Sequence, residues 1–412
     1  MAGGKRRNTP QIGHKPPPPD KGARIVALDR LRGLAMILMV LDHAWVYFSR
    51  SENYPLLPNE LPQTETAMFL ALWAPKFCAP VFVLLAGIGA RLQRDRGKSA
   101  GKLAGYLFLR GLLLIALEVT VVHASVYFNF DYRTFVPLIL WPIGWAMIVL
   151  AALVRLPPRV VGGIGLAVLL GHNLLDGIAA PSEGPLRNLW ILFVHAQGDR
   201  IQAGGTLLII GGAILPWAGL MAAGYGLGGL FQLPRERRRG LLLGAGVAMC
   251  LAFVVLRFAN GYGDPAPWRM YPAFRDTLFS FVNVTTIPPS LLGLLMTLGP
   301  SALLWAAFER ESIRESPLDT LGRAPLLFYL LQWPLLHLLA MGAAIATGRN
   351  VGWLFAAFDP NTSRPYGWTP ADGYPVAALY VAAVVTVLLA YPLCRAFANY
   401  KRRHKAAWLS YL

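Results

Sequence analysis

"RLRGLAMILMVLDHAW", residues 30–45, has arginines at one end of an apolar run and an aspartate followed by a histidine near the other. A run of this kind is typical of a membrane-spanning helix, which needs about 20 residues to cross the hydrocarbon core. Ionisable groups inside such a helix are costly, and they usually face a cavity or a polar partner. The stretch therefore predicts a helix in lipid that carries functional side chains.

The rest of the chain shares this apolar character. Of its 412 residues, 55% are hydrophobic and only 14% are charged, which is unusual for a soluble domain. Apolar stretches near the length of a span predict about ten transmembrane helices at 31–48, 69–90, 106–127, 136–154, 160–177, 206–230, 240–258, 290–308, 325–346 and 375–397. Backbone groups in lipid must be satisfied within each span, so the expected fold class is an all-α polytopic membrane protein.

Positive charge predicts the orientation of the bundle. The formal net charge is +17, and most Lys and Arg residues fall in alternate loops and in the tails, which favours cytoplasmic termini. Segment 1–23 is expected to be a disordered, basic, Pro-rich cytoplasmic tail and not a signal peptide. The transmembrane bundle then covers 24–400, and 401–412 is a basic cytoplasmic tail. The basic loops are expected to contact anionic lipid, and no nucleic-acid partner is expected.

The three cysteines of the chain lie within predicted spans. Cys78, Cys250 and Cys394 show no metal-ligand spacing and do not form a disulfide framework. No metal is expected.

Arginine and histidine recur at matching depths in several predicted spans. Arg32 lies in the first turn of the first span, and His43 follows eleven residues later, about 16 Å along a helix. The same order is found in three further spans, in the pairs Arg110 and His123, Arg159 and His172, and Arg323 and His337. This pattern predicts one polar chamber above an entrance that attracts anions.

Other polar residues are candidates for the same chamber. Glu118 lies midway along the third predicted span, where a carboxylate usually faces a cavity or a partner. Gln332 lies within the ninth span, and Asn173 and Asp176 follow His172. We expect these side chains to bind or position a substrate.

Each of these residues also has a purely structural explanation. An Arg at the end of a span often only anchors the topology by extending to the headgroups. An intramembrane His often only joins two helices by a hydrogen bond. Asp42 is not expected to form a dyad with His43, because neighbouring residues on a helix point about 100° apart, and it is expected to join the first span to another.

Acyl transfer across a membrane is a reaction that uses this layout. Coenzyme A carries phosphates at one end and a thioester at the end of a long pantetheine arm, so a cytoplasmic donor needs cations at the mouth and a base deep inside. A neutral His43 imidazole can take the proton from an acceptor hydroxyl or amine, or can itself accept the acyl group. The expected donor is acetyl-CoA or another acyl-CoA. We expect Arg32 and Arg110 to bind its phosphates, with Arg30 and Lys76 as further candidates.

The acceptor is expected to arrive from the opposite side of the membrane. The long loops 259–289 and 347–374 lie there, and both contain aromatic residues. Trp268 is expected to stack on a sugar face and Asp264 to bind hydroxyl groups, although aromatic residues at this depth more often form an interfacial belt. Further substrate-binding candidates are His123, Glu118, Asp176, His337 and Gln332.

Several motifs carry a resemblance to known acyltransferases. Arg32 and His43 resemble the Arg-x10-His signature of membrane acyltransferases of the acyltransferase-3 type. From Arg24 to about His337 the chain looks more like bacterial proteins grouped with heparan-α-glucosaminide N-acetyltransferase. The stretches that carry this likeness are "LDRLRGLAMILMVLDH", "APKFCAPVFVLLAG", "GHNLLD", "NGYGDPAPW", "PPSLLGLLMTLGP" and "GRAPLLFYLL".

The resemblance implies a helical bundle in the bacterial inner membrane that passes an acyl group from cytosolic acyl-CoA to a glycan-type acceptor. His43 matches the catalytic histidine of the family, and Asp42, His172 and Asn173 lie in matched motifs and are further candidates for the catalytic site. Gln332 departs from the pattern, because a histidine is expected in "FYLLH". A second departure is Thr286 and Ile287, where Lys-Tyr often precedes the two prolines.

Two other classes of protein remain open. A secondary transporter or flippase-like protein also has a polar His and Glu chamber, but it usually shows broken helices in paired positions, and the prolines of this chain show no such pairing. A non-catalytic scaffold needs no Arg and His pattern. Oligomeric state is also open, with a homodimer among the options.

Overall fold

The computed structural model describes residues 25–50, 61–194, 199–310, 315–404 and 406–410. The predicted tail 1–23 lies outside these residues, as do residues 411–412 of the predicted C-terminal tail. Among the described residues, nine helical segments are long and apolar enough to cross a membrane. A tenth apolar helix, Leu140–Leu153, is shorter. The predicted all-α polytopic membrane fold is confirmed.

Fifteen α-helices account for most of the described chain. In order they are α1 (Val26–Phe48), α2 (Thr66–Trp73), α3 (Cys78–Asp95), α4 (Ala100–Leu117), α5 (His123–Tyr127), α6 (Leu140–Leu153), α7 (Pro158–Gly171), α8 (Gly184–Phe193), α9 (Ile214–Leu227), α10 (Arg235–Ala259), α11 (Phe274–Val282), α12 (Leu291–Arg310), α13 (Pro317–Arg323), α14 (Pro325–Ala346) and α15 (Val376–Arg403). A 3₁₀ turn joins α2 and α3 into one span, and a π-helical stretch, Glu118–Val122, joins α4 and α5.

Short strands occur between the helices. They are β1 (Thr134–Phe135), β2 (Asp199–Ala203), β3 (Thr206–Ile210), β4 (Phe358–Asp359) and β5 (Arg364–Pro365). One sheet has the order β1-β3-β2, with β1 parallel and β2 antiparallel to β3, and β4 pairs with β5 antiparallel. In the β2–β3 pair, Ile201 lies opposite Leu208.

The structure corrects two predicted boundaries. The predicted span 206–230 starts too early, because 206–210 forms β3 and α9 begins at Ile214. The apolar run "TLLII" pairs with β2 across a turn at Gly204, whose φ of +60° suits glycine. The predicted span 136–154 is also too long, since α6 begins at Leu140. A short apolar run does not by itself distinguish a strand or a loop from the end of a helix.

The connections between helices fall on two sides of the bundle. We call one side the loop-rich face; it is formed by segments 128–139, 172–194, 199–213, 260–290 and 347–375. Its segments bond to one another, for example Asn129 Nδ2 to Phe355 O at 2.9 Å and Arg200 Nη2 to Pro360 O at 2.8 Å. The other side, the basic face, is formed by segments 96–99, 154–157 and 228–234, by α13 and by the end of α15.

Helix α1 lies at the centre of the bundle. It contacts α2, α3, α12, α13, α14 and α15. Two glycines allow its first turns to meet α13 at backbone distance, because a Cβ at Gly33 would overlap the Leu318 backbone and a Cβ at Gly322 would overlap the Asp29 backbone. Residues on several sides of α1 are therefore buried, including His43.

Candidate active site

A cavity of about 250 Å³ lies between α1, α3, α4, α6 and α14, on the side of the basic face. We call it the basic-face cavity. Four cationic side chains line it, those of Arg32, Arg110, Arg323 and Lys401. Its lining follows α3 from Gln93 to Phe82, which is eleven residues or about 16 Å along a helix. This shape and charge suit an extended ligand with an anionic head.

Two of these cations are held at the wall by neighbouring groups. Arg32 Nη2 donates to Leu85 O at 3.3 Å, and its Nη1 lies 3.5 Å from Asp29 Oδ1. Arg110 Nη1 donates to Tyr106 OH at 2.9 Å. The structure thus brings together the two arginines that the sequence predicts at the phosphates of CoA.

The two other predicted phosphate ligands lie elsewhere. Arg30 is buried and its Nε donates to Asp319 Oδ1 at 3.1 Å, which ties α1 to α13. Lys76 Nζ donates to Asn283 Oδ1 at 2.8 Å and to Val284 O at 2.7 Å, beside the loop-rich face. Neither side chain lines the basic-face cavity. Arg30 is two residues before Arg32, and residues two apart on a helix do not face the same side.

The deep end of the cavity leads to His43. Tyr329 lines the cavity, and its ring makes an edge contact with the His43 imidazole at a centroid distance of 5.8 Å. On another side the imidazole stacks on Trp333 at 3.9 Å, and Gln332 lies beside it. His43 is only 7% exposed.

One turn closer to the loop-rich face, the same two helices make a second ring contact. Tyr47 of α1 meets His337 of α14 with centroids 5.3 Å apart, and it also contacts Trp333 at 6.4 Å. His337 Nδ1 lies 3.0 Å from Val126 O, so this nitrogen carries the proton. We call these five side chains the ring ladder: His43 and Tyr47 of α1, and Tyr329, Trp333 and His337 of α14.

Several buried polar atoms of the ladder lack a hydrogen bond within the part of the chain that the structure describes. They are His43 Nδ1, Tyr329 OH, Trp333 Nε1 and His337 Nε2, together with both amide atoms of the neighbouring Gln332. Gln332 nevertheless lies close enough to His43, and Trp333 close enough to Tyr329, for their polar groups to interact without the geometry of a full hydrogen bond. Buried polar groups in folded proteins nearly always have a partner. Polar atoms of a bound ligand could supply the missing partners, which makes the ladder a candidate binding site.

A second pocket, of about 400 Å³, opens on the loop-rich face. We call it the loop-face pocket; it is lined by Asn129, Asp131, Arg133, Phe355, Ala356, Ala357 and Tyr366. Arg133 Nη2 donates to Asp131 Oδ2 at 2.6 Å, and this hydrogen bonding lowers the pKa of the Asp131 carboxyl. The Phe355 ring lies 5.7 Å from the His337 ring. The pocket therefore approaches the ring ladder from the side opposite the cavity.

His123 contacts the segment that forms the polar wall of this pocket. Its Nε2 lies 3.1 Å from Asp131 O, and its ring stacks on Tyr132 at 4.3 Å. The predicted substrate-binding histidines His123 and His337 therefore lie on the same side of His43, close to the loop-face pocket.

Glu118 and Asp42 lie apart from the His43 ring. The two carboxylate oxygens of Glu118 accept from Leu138 N at 2.7 Å and Leu140 N at 3.1 Å, and so satisfy backbone groups at the start of α6. Asp42 lies near Lys76, on another side of α1 from the ladder.

His172 and its neighbours hold the end of α7 against the start of α12. His172 Nε2 lies 2.9 Å from Pro289 O. Asn173 Oδ1 accepts from Leu291 N at 2.9 Å, and Asn173 Nδ2 donates to Asp176 Oδ2 at 2.7 Å. None of these three predicted site residues lines the cavity or the pocket.

Asp264 and Trp268 organise the loop that contains them. Asp264 accepts hydrogen bonds from Ala266 N, from Thr285 N and from the Ser290 hydroxyl, at 2.8 to 2.9 Å. Burial raises the pKa of Asp264, and these donors oppose that shift. Trp268 packs on aromatic neighbours, with its ring 5.4 Å from that of Phe281. Both predicted acceptor ligands are thus engaged within segment 260–290 and do not line the loop-face pocket.

Sequence reasoning missed several residues of this arrangement. They are Tyr47, Tyr329 and Trp333 in the ladder, Lys401 in the cavity, and Asn129, Asp131, Arg133 and Phe355 in the pocket. Tyr366, which also lines the pocket, is one of the aromatic residues of the loop 347–374, where the acceptor is expected to arrive. The spacing of four between Tyr329, Trp333 and His337 is the one sequence signal for the ladder, since such residues share a helix face. Among the described residues, no group of three or more His, Cys, Asp or Glu is placed to hold a metal ion.

The fold and the site define a polytopic membrane protein with a buried histidine between a cation-lined cavity and a pocket on the opposite face. The model of a family described as "heparan-alpha-glucosaminide N-acetyltransferase, catalytic" matches residues 24–256, more than half of the chain. The chain belongs to this family, which confirms its resemblance to heparan-α-glucosaminide N-acetyltransferase and supports a membrane acetyltransferase-type function.

The matched region starts at the residue expected from the motifs but ends earlier. It contains Arg32, His43 and Arg110, whereas α14, with Gln332 and His337, lies beyond it. No curated protein matches the chain.

Proposed function

We propose that the protein transfers an acetyl group from cytosolic acetyl-CoA to a hydroxyl or amine of a glycan-type acceptor on the other side of the membrane. The observation that carries this proposal is the position of His43, which is buried at the deep end of the cation-lined basic-face cavity. One helical turn away, Tyr47 contacts His337, and His337 in turn contacts Phe355 in the wall of the loop-face pocket. Membership of the acetyltransferase family supports the choice of donor.

The basic-face cavity fits the donor by charge and shape. The phosphates of CoA would lie among Arg32, Arg110, Arg323 and Lys401, since guanidinium groups bind phosphate oxygens by charge-assisted hydrogen bonds. The thin pantetheine arm would follow the apolar wall of α3 for about 16 Å. The thioester would then lie beside Tyr329, within reach of His43.

The chemistry assigned to the site is a single transfer. The acceptor oxygen or nitrogen forms a bond to the acetyl carbonyl carbon while the carbon–sulfur bond of the thioester breaks. His43 takes the proton that the nucleophile loses and returns it to the CoA thiolate, which leaves as the thiol. Tyr329 OH is suited to donate a hydrogen bond to the carbonyl oxygen as negative charge develops there.

Charge supports the orientation that this reaction needs. The basic face contains the short arginine-rich connections, and such segments are retained in the cytoplasm. Helix α1 begins and α15 ends on that face, since Arg32 and Lys401 line the same cavity. We therefore assign both termini to the cytoplasm and the loop-rich face to the far side.

The test compares purified wild type with His43→Ala in the release of CoA thiol from acetyl-CoA with glucosamine as acceptor. Loss of a general base lowers turnover by about 10²–10⁴-fold. His404→Ala is the matched control, because this histidine is exposed at the end of α15. Thermal melts in detergent check folding, and acid-quenched protein treated with radioactive acetyl-CoA shows whether an acetyl group stays on His43.

Near-normal turnover by a His43→Ala protein of lowered stability would make His43 a packing residue and overturn the proposal. An absence of thioester cleavage by wild type, with any acyl acceptor tried, would instead favour a transporter with a polar chamber.

A further inference from the structure

The walls of the loop-face pocket combine two kinds of groups. Asp131, Arg133 and Asn129 supply hydrogen-bonding groups, and the rings of Phe355 and Tyr366 are 44% and 46% exposed. Sugars present apolar C–H faces that pack on aromatic rings, and hydroxyl groups that bond to carboxylates and guanidinium groups. The lining therefore matches the chemistry of a sugar.

The pocket is also held in shape by its own contacts. Asn129 Nδ2 donates to Phe355 O at 2.9 Å, which joins the two segments that form its walls. Asp131 N donates to Asn129 Oδ1 at 2.9 Å, and Leu207 N donates to Arg133 O at 2.8 Å. The polar wall is thus fixed between the β-sheet and the end of the α4–α5 span.

The inner wall of the pocket adjoins His337. Phe128, with a left-handed φ of 47°, stacks on the His337 ring at a centroid distance of 3.7 Å, and Phe355 contacts the same ring from the pocket side. His337 is fully buried. Its Nδ1 proton points to Val126 O, so Nε2 carries a lone pair, and this atom makes no hydrogen bond to any described residue.

We propose that the loop-face pocket is the acceptor subsite, that it binds one sugar residue of the acceptor, and that His337 positions the attacking group. The Nε2 lone pair accepts a hydrogen bond from the acceptor hydroxyl or amine, while His43, one helical turn deeper, handles the transferred proton. The inference rests on the proposed acetyl transfer. It assigns the acceptor to residues other than Asp264 and Trp268.

The first test measures steady-state kinetics with glucosamine and acetyl-CoA. Tyr366→Ala and Arg133→Ala remove one ring and one charged donor, and each is expected to raise the KM for glucosamine about tenfold. The KM for acetyl-CoA should not change. Phe274→Ala and Arg269→Ala are the matched controls, since these exposed residues lie on the loop-rich face outside the pocket.

The second test concerns His337 alone. His337→Ala should lower kcat about tenfold or more with an unchanged KM for acetyl-CoA, because the nucleophile loses its hydrogen-bond acceptor. His337→Gln keeps an acceptor oxygen and should restore part of this loss. A histidine that served only packing would show no such rescue, and its loss would appear in the thermal melt.

The outcomes separate this inference from the proposed function. If the pocket variants leave the KM for glucosamine unchanged while Trp268→Ala raises it, acetyl transfer stands and the acceptor binds at segment 260–290. If wild type cleaves acetyl-CoA but neither binds nor acetylates glucosamine, the pocket does not select a sugar and the inference is overturned. If acetyl-CoA is not cleaved under any condition, the proposed function fails first.

Discussion

Arg32→Ala tests whether the basic-face cavity binds the phosphates of CoA. The guanidinium lines the cavity, and its side chain is 23% exposed, so it is partly shielded from water and salt. Arg110, Arg323 and Lys401 line the same cavity, so the expected ligand is an anion. The substitution removes one positive charge and leaves His43, about three turns away, in place.

The size of the effect follows from the kind of contact that is lost. A hydrogen bond to a charged group contributes roughly 1.5–3 kcal/mol, which corresponds to about 10- to 150-fold in affinity. Arg110, Arg323 and Lys401 remain, so binding should weaken without being abolished. Because the site is partly exposed, added salt should weaken binding by wild type more than by the variant.

Isothermal titration measures this directly, with CoA and with dephospho-CoA as ligands. Arg237→Ala is the matched control, because Arg237 is exposed on α10 near the basic face but does not line the cavity. Equal affinities of wild type and Arg32→Ala for CoA would refute the assignment of the cavity to the donor. Thermal melts show whether Arg32→Ala also destabilises the fold, because the substitution removes the contacts of Arg32 with Leu85 O and Asp29 as well.

Three further outcomes are expected. Arg30→Ala should lower the melting temperature, since loss of one partner of a buried ion pair costs about 3–5 kcal/mol and leaves Asp319 uncompensated. His172→Ala should reduce thermal stability by about 1–3 kcal/mol with little change in kcat, because within the described part of the chain its ring nitrogens contact backbone carbonyls, including those of Val168 and Pro289. A cysteine in place of Pro265 should react with an impermeant maleimide only from the extracytoplasmic side, and labelling from the cytoplasm would reverse the assigned orientation.

The helical membrane fold was predictable because it depends on the length of apolar runs. Lipid leaves the backbone few alternatives, so a long run is a helix. The errors fall where runs are short or lie at the ends of spans. Residues 206–210 form β3 because β2 pairs with them. Such pairing depends on a second segment, so it cannot be inferred from the run 206–210 alone.

The candidate site was predictable only where one helix sets the geometry. Arg32 and His43 share α1, and the rise of a helix fixes their separation at about 16 Å. Arg30 and Lys76 carry the positive charge that a phosphate site needs. Whether either side chain faces the cavity, however, depends on the segments packed against its helix. The polar wall of the loop-face pocket could not be inferred, because Asn129 and Tyr366 are distant in sequence and meet only through the packing of two loops.

The ring ladder shows why matching depth in the sequence does not by itself identify which residues meet. Helices α1 and α14 both run from the basic face to the loop-rich face, so a step of four residues on one is matched by four on the other: His43 meets Trp333, and Tyr47 meets His337. This register is set far from the ladder, where glycines let α1 and α13 meet at backbone distance just before α14 begins. A different offset between α1 and α14 would leave the same histidines at similar depths but in contact with other rings. The chemistry proposed for His43 therefore depends on packing at the basic face as much as on the residues that surround its imidazole.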